Sequence, residues 1–189
     1  MSCLISKGRK EPCKNNIAGV KRMYIANYLF HKKFQYEISD NTLVSFPATM
    51  IYQFDLLADG NSYREALGSD KSYGQSISIT LPMLDRPTNE IMEALLNSEF
   101  RVILELNNGI YKIFGLENGL SVDSVKLVTG GAKSEFNGYT FNFEGREEKE
   151  SFYIDDLEEA GFIPYSPTLY EFQDFILHVF QDNELYNFN

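Results

Sequence analysis

Residues 75–81 place Ile77, Ile79 and Leu81 on one side of the chain and Ser76, Ser78 and Thr80 on the other. A hydrophobic period of two belongs to a strand with one dry face and one wet face, and no helix can keep it. The pattern returns at 139–144, where Tyr139, Phe141 and Phe143 alternate with Thr140, Asn142 and Glu144. Side chains of this kind suit a pleated, half-buried surface. The whole chain favours them, with 15 Phe and 12 Tyr but no Trp. Its 189 residues are enough for one domain with extensions.

Further strands are predicted at 19–28, 34–39, 50–57, 101–106, 110–116 and 122–128. Within 19–28, Val20, Met23, Ile25 and Tyr28 do not alternate cleanly, which predicts a bulge or bend. Asn107, Asn108 and Gly109 predict a hairpin closed by a type I′ turn. Residues 58–74, polar and carrying Gly60, Gly68 and Gly74, read as a long loop or mobile hairpin arm. After the break between Pro82 and Pro87 a helix is predicted over 89–98. Thr88 or Asn89 would cap it, Glu90 would sit in its first turn, and Ile91, Leu95 and the Met92–Leu96 pair would form its apolar stripe. The organisation read from the sequence is therefore an extended N-terminal arm (1–15), a β-rich domain (16–150) and an acidic, aromatic C-terminal extension (151–189).

The extension carries a second predicted helix, 168–182. Leu169, Phe172, Ile176, Val179 and Phe180 fall on one broad apolar face, widened by Phe175 and Leu177. Two readings stay open: the helix packs on its own domain, or the face docks onto a neighbouring subunit.

Charge is unevenly distributed. Residues 1–33 hold eight Lys/Arg against one Glu, and residues 34–189 hold nine basic against 26 acidic residues. The basic positions Lys7, Arg9, Lys10, Lys14, Lys21 and Arg22 suit an acidic neighbour, because opposite potentials steer association and fix register. Nucleic acid is a weaker partner for them, since Pro12, Cys13 and apolar positions interrupt the run and the rest of the chain repels phosphate. Asp155, Asp156, Glu158 and Glu159 read as a solvated charge run.

Sites for chemistry are not evident. The sequence lacks the nucleophile-elbow, phosphate-loop, dinucleotide and zinc-protease motifs. His31 and His178 stand alone, Cys3 and Cys13 are too few for a structural zinc site, and Asp55, Asp59 and Asn61 lack the rest of a calcium loop. Cys3 and Cys13 read as packing thiols, with a disulfide between them as the other reading. No enzyme, metal or cofactor is expected. No stretch approaches about 18 consecutive apolar residues, so no membrane anchor is expected, and residues 1–10 lack the apolar run of a secretory signal.

Cys3, Lys7-Gly8, Cys13-Lys14 and Gly19-Val20-Lys21, in that order, resemble the opening of a family of structural proteins from phages and prophages of Bacteroidetes, including crAss-like podophages. Residues 77–82, Leu84-Asp85, 107–109, 115–119 and 129–132 resemble further blocks of that family in the same order. The resemblance spans about residues 2–145. Ala18 stands where the family usually has the first of two glycines, and residues 146–189 match nothing in it.

The resemblance implies a tail-tube-like β-sandwich or barrel with one flanking helix. Its subunits would join edge to edge in a six-fold or twelve-fold homo-oligomeric ring. Such a ring would sit in a virion tail, assembled in the bacterial host cytoplasm, in contact with other tail or neck proteins. DNA would pass through without specific binding, past an acidic wall that repels phosphate. Lys7, Arg9, Lys10, Lys14, Lys21 and Arg22, with Leu169, Phe172, Ile176, Val179 and Phe180, are then the candidate subunit contacts. Alternatives are a head–tail adaptor or neck protein, a host-glycan or protein binding module using exposed tyrosines, and a small hydrolase.

Overall fold

The computed structural model describes residues 18–29, 36–132 and 134–165. Among them the chain is mainly β, with a single short helix. The elements in order are β1 (Val20–Asn27), β2 (Glu37–Ser39), β3 (Thr42–Ser45), β4 (Thr49–Asp55), β5 (Ser62–Leu67), β6 (Tyr73–Pro82), α1 (Arg86–Leu96), β7 (Glu99–Leu106), β8 (Tyr111–Phe114), β9 (Leu120–Val128), β10 (Gly138–Glu147), β11 (Phe152–Ile154) and β12 (Phe162–Pro164).

All strands belong to one curled, open sheet that forms a half-barrel. Its centre is the antiparallel pair β1–β7. Beyond β1 lie β4 and then β12, the last pairing in parallel. On its other edge β7 pairs with β8 along Val102–Glu105 and with β9 at Glu99 and Phe100, so the sheet forks there. One branch runs through β8, β11, β3 and β2; the other runs through β9, β10, β6 and β5.

The fork makes β1 and β7 two-sided. Met23, Ile25, Val102 and Leu104 enter a first core with Ile77, Ile79, Tyr139, Phe141 and Phe143. Tyr24, Ala26 and Ile103 enter a second core with Leu43, Ile51, Ile113, Phe152 and Phe162. A strand covered on both faces reads as a continuous apolar run, which is why residues 19–28 do not alternate. The predicted irregularity is also present: the register slips between Val20 and Arg22, leaving Lys21 as the extra residue of a bulge. β6 and β10 are covered on one face only, and they alternate as read: Ile77, Ile79, Tyr139, Phe141 and Phe143 are buried.

One pair of alternatives is resolved and three expectations need correction. Of the two readings of residues 58–74, the hairpin is the one present, since β5 pairs with β6 from Ser62↔Ser78 to Leu67↔Tyr73. Arg64 and Glu65 made the stretch look solvated, yet Glu65 is turned inward, where it meets Gln75 and Ser151. The 107–109 turn is not type I′. Gly109 alone has positive φ (80°), with Gly109 N donating to Leu106 O at 2.9 Å and Leu106 N to Ile110 O at 2.8 Å. That is a three-residue loop ending in a left-handed glycine bulge. Asn107 is held by Ala18 O and Gly19 O, contacts outside the hairpin that the local motif does not contain.

The helix begins earlier than read. Asp85, extended at φ −136°, caps it by accepting from Thr88 N at 2.9 Å, so Glu90 falls beyond the first turn. Only Leu95 of its stripe is buried, with Met92 packed partly against the first core; Ile91 and Leu96 are 44% and 49% exposed. Finally, the sheet does not stop at residue 150. β11 and β12 supply Phe152, Ile154 and Phe162 to the second core, and Leu157 and Ala160 of the acidic run are buried between them. Gly161 (φ 100°) is required at the entry to β12, since a Cβ there would stand 2.2 Å from Phe46 O.

Ile103 is fully buried in the shared β1–β7 wall. Ile103→Ala is expected to destabilise the fold by about 2–5 kcal/mol. Leu67→Ala, at an edge position 61% exposed, should move stability by less than about 0.5 kcal/mol. Urea unfolding of both variants measures the contrast.

Candidate functional site

The candidate contacts Lys7, Arg9, Lys10, Lys14, Leu169, Phe172, Ile176, Val179 and Phe180 lie outside the described residues, as do Cys3, Cys13, His31 and His178. Lys21 and Arg22 are described, and the β1 bulge brings both to one carboxylate. Lys21 Nζ is 2.7 Å from Glu105 Oε1, Arg22 Nη1 is 3.3 Å from Oε2, and the Tyr24 hydroxyl donates to Oε2 at 3.4 Å. Glu105 is buried while the two cations stay about half exposed. The same pair therefore neutralises an internal charge and leaves a basic rim at the root of the N-terminal arm.

A second set of charges crosses the fork. Arg101 is only 1% exposed. It donates from Nε to Leu116 O at 3.0 Å and from Nη2 to Leu29 O at 2.8 Å, and its guanidinium lies over the rings of Tyr28 and Phe46. Its Nη1 has no hydrogen-bond partner among the described residues. Glu147, at the end of β10, accepts from Asn118 N at 2.9 Å and from Glu117 N at 3.2 Å. Burial pushes its carboxyl up to about 7, against the pull of those two amides and of Arg101. Tyr36 reaches the same loop, donating to Glu117 Oε1 at 2.9 Å.

Beside this set, Glu65 accepts from Gln75 Nε2, Ser151 N and Ser151 Oγ, with Lys112 Nζ 3.9 Å away. The Lys112 ammonium sits over the rings of Tyr153, Tyr63 and Phe114. Gln75 Oε1 in turn accepts from Gly115 N. These bonds join β5 and β6 to the 115–119 loop and to the start of β11. The space among Gln75, Glu117, Glu147 and Ser151 is about 10 Å³, room for about one water. The cluster accordingly acts as a polar rivet between the two branches of the sheet.

Sequence reading did not single out Arg101, Glu105, Lys112 or Glu147. Arg101, Glu105 and Lys112 did leave a trace: each interrupts or borders an apolar strand segment, where a charge must be paired if the segment is covered on both faces. Among the described residues, no group of three or more His, Cys, Asp or Glu is placed to hold a metal ion. No protein-family model, no curated protein and no solved structure matches this chain.

Because the folded-state pKa of Glu147 lies above its ordinary value of 4.5, the folded state holds the proton more tightly than the unfolded chain does. The stabilisation is present in full below about pH 4.5 and is lost as pH rises through about 7. Glu147→Gln keeps an acceptor for the two loop amides without the ionisation. The wild type should lose about 1–3 kcal/mol more than this variant between about pH 5 and pH 8. Urea unfolding at both pH values gives the comparison; equal losses would mean that Glu147 titrates normally.

Proposed function

We propose that the chain is a ring- or tube-forming structural subunit of a bacteriophage tail. The observation that carries the reading is the open half-barrel. β5 is bonded to β6 on one side only, and β2 and β12 likewise each have one partner among the described residues. An unpaired strand edge is a template for another chain, and a closed ring of copies satisfies every such edge at once. β5 has no proline to block its edge, and its charged side chains point to the sheet faces.

One further feature supports this reading. The basic arm ends at the rim made by Lys21 and Arg22, where it can reach across to the acidic body of the next copy.

Electron microscopy of the purified chain tests the proposal, and rings with a central hole are the expected result. Deleting residues 1–15 should lower particle mass or abolish stacking. A chain that stays monomeric at concentrations of about 10 µM, above the Kd of ordinary specific contacts, overturns the reading.

A further inference from the structure

An apolar groove of about 240 Å³ runs between α1 and the sheet. Tyr52 and Phe54 of β4, Ile25 of β1, Phe100 of β7 and Ile91 and Leu95 of α1 line it. It exists because α1 is held to the sheet at its N-terminal end, where the Tyr139 hydroxyl donates to Asn89 Oδ1 at 2.8 Å, and to the first core through Leu95 and Met92, while Ile91 stays exposed. Tyr52 and Ile91 remain 37% and 44% exposed. Nothing among the described residues fills it.

The chain itself leads there. β12 runs parallel to β4 in the register Phe162↔Thr49 to Pro164↔Ile51, which sets Tyr165 level with Tyr52. Tyr165 N donates to Ile51 O at 2.7 Å, and the Tyr165 and Tyr52 rings pack with centroids 5.3 Å apart. The chain thus passes residue 165 at the rim of the groove with 24 residues still to come. Only Ser166 and Pro167 precede the segment 168–182, a tether of roughly 10 Å. That segment carries Leu169, Phe172, Ile176, Val179 and Phe180 at helical spacing, the apolar stripe for which the sequence left open its own domain or a neighbouring subunit. So short a tether holds the stripe at an effective concentration of roughly millimolar or more beside the groove, which favours its own subunit over another copy.

We propose that residues 168–182 dock as an amphipathic helix into the α1–β4 groove of their own chain. The exposed sides of Ile91 and Tyr52 are then covered by Phe172 and its neighbours, and α1 gains the second flank that the sheet does not provide. The inference is independent of the ring reading, because a free subunit and an assembled one would both contain the contact. It assigns Leu169, Phe172, Ile176, Val179 and Phe180 to internal packing and leaves the strand edges and the basic arm for neighbours.

Photo-crosslinking of the full chain tests it, with a benzophenone amino acid in place of Ala94, which lines the groove. The expected product runs at the mass of one chain, 21.7 kDa, with its crosslinked peptide inside 168–182. A product of twice that mass, or a crosslink to any other segment, overturns the proposal. The double variant Phe172→Asp, Ile176→Asp should cut the crosslink yield by about tenfold or more, the loss expected when two buried apolar side chains become charged. Its strand signature in circular dichroism should be unchanged. An undiminished yield in that variant also overturns the proposal.

Discussion

Strands β1 and β7 are buried on both faces along most of their paired length, and the rest of the molecule is arranged by that condition. A strand in the middle of a curled sheet needs two separate layers to cover it. The fork at β7 supplies them, sending one branch over each face. Adjacent residues of β1 therefore enter different cores: Met23 and Ile25 the first, Tyr24 and Ala26 the second. A slip of one residue in this pair would exchange the two sets and place the tyrosine ring where the first core holds methionine and isoleucine. The bulge at Lys21 ends the strict register at the point where the strand leaves the double cover, with Lys21 itself exposed.

The interior charges follow from the same geometry. Where two layers diverge from one strand, backbone amides and carbonyls of the connecting loops are left facing inward, and buried polar groups require partners. Arg101 collects the carbonyls of Leu116 and Leu29, and Glu147 collects the amides of Glu117 and Asn118. Glu65 does the same for Ser151 N. A side chain with several donors or a carboxylate with several lone pairs can satisfy a loop that no strand ladder reaches. The cost is desolvation, visible in Glu147, whose carboxyl is pushed up to about 7 by burial. Removing one partner of such a cluster leaves the other buried and unpaired, which costs more than the intact cluster contributes.

How far the fold was legible depends on how many faces a strand buries. β6 and β10 bury one face, and their alternation identifies both the strands and the core residues without further information. The two-sided β1 showed itself only as broken alternation, which correctly signalled a bulge but not the double cover. β5 showed only as one of two readings, because just Tyr63 of its inward face is apolar and the next inward residue is Glu65, whose partners come from β6 and from Ser151, 86 positions later. β3, β11 and β12 are each three or four residues long, below the length at which a period can be read. The helix cap was missed because Asp85 lies before Arg86 and Pro87, ahead of the apolar stripe used to place the helix. Of the candidate contacts, Lys21 and Arg22 were visible as basic residues, but their shared partner Glu105 is 83–84 positions away and no local pattern points to it.

Charge and edges together bear on how copies of this chain would meet. A body with 26 acidic and nine basic residues after position 33 repels its own kind at long range. Backbone pairing at β5 acts only at contact, so it cannot by itself overcome that repulsion or choose an orientation. The arm carries the opposite sign and is rooted at Lys21 and Arg22, whose net charge is reduced by the buried Glu105. Attraction is thereby concentrated in the residues ahead of β1, at one end of the sheet's central pair. In the ring proposed above, a subunit built this way would approach another with its basic residues leading and its acidic faces apart. Edge pairing would follow once those residues had set the angle, because a repeated angle between identical open sheets closes a ring where a variable one gives an irregular aggregate.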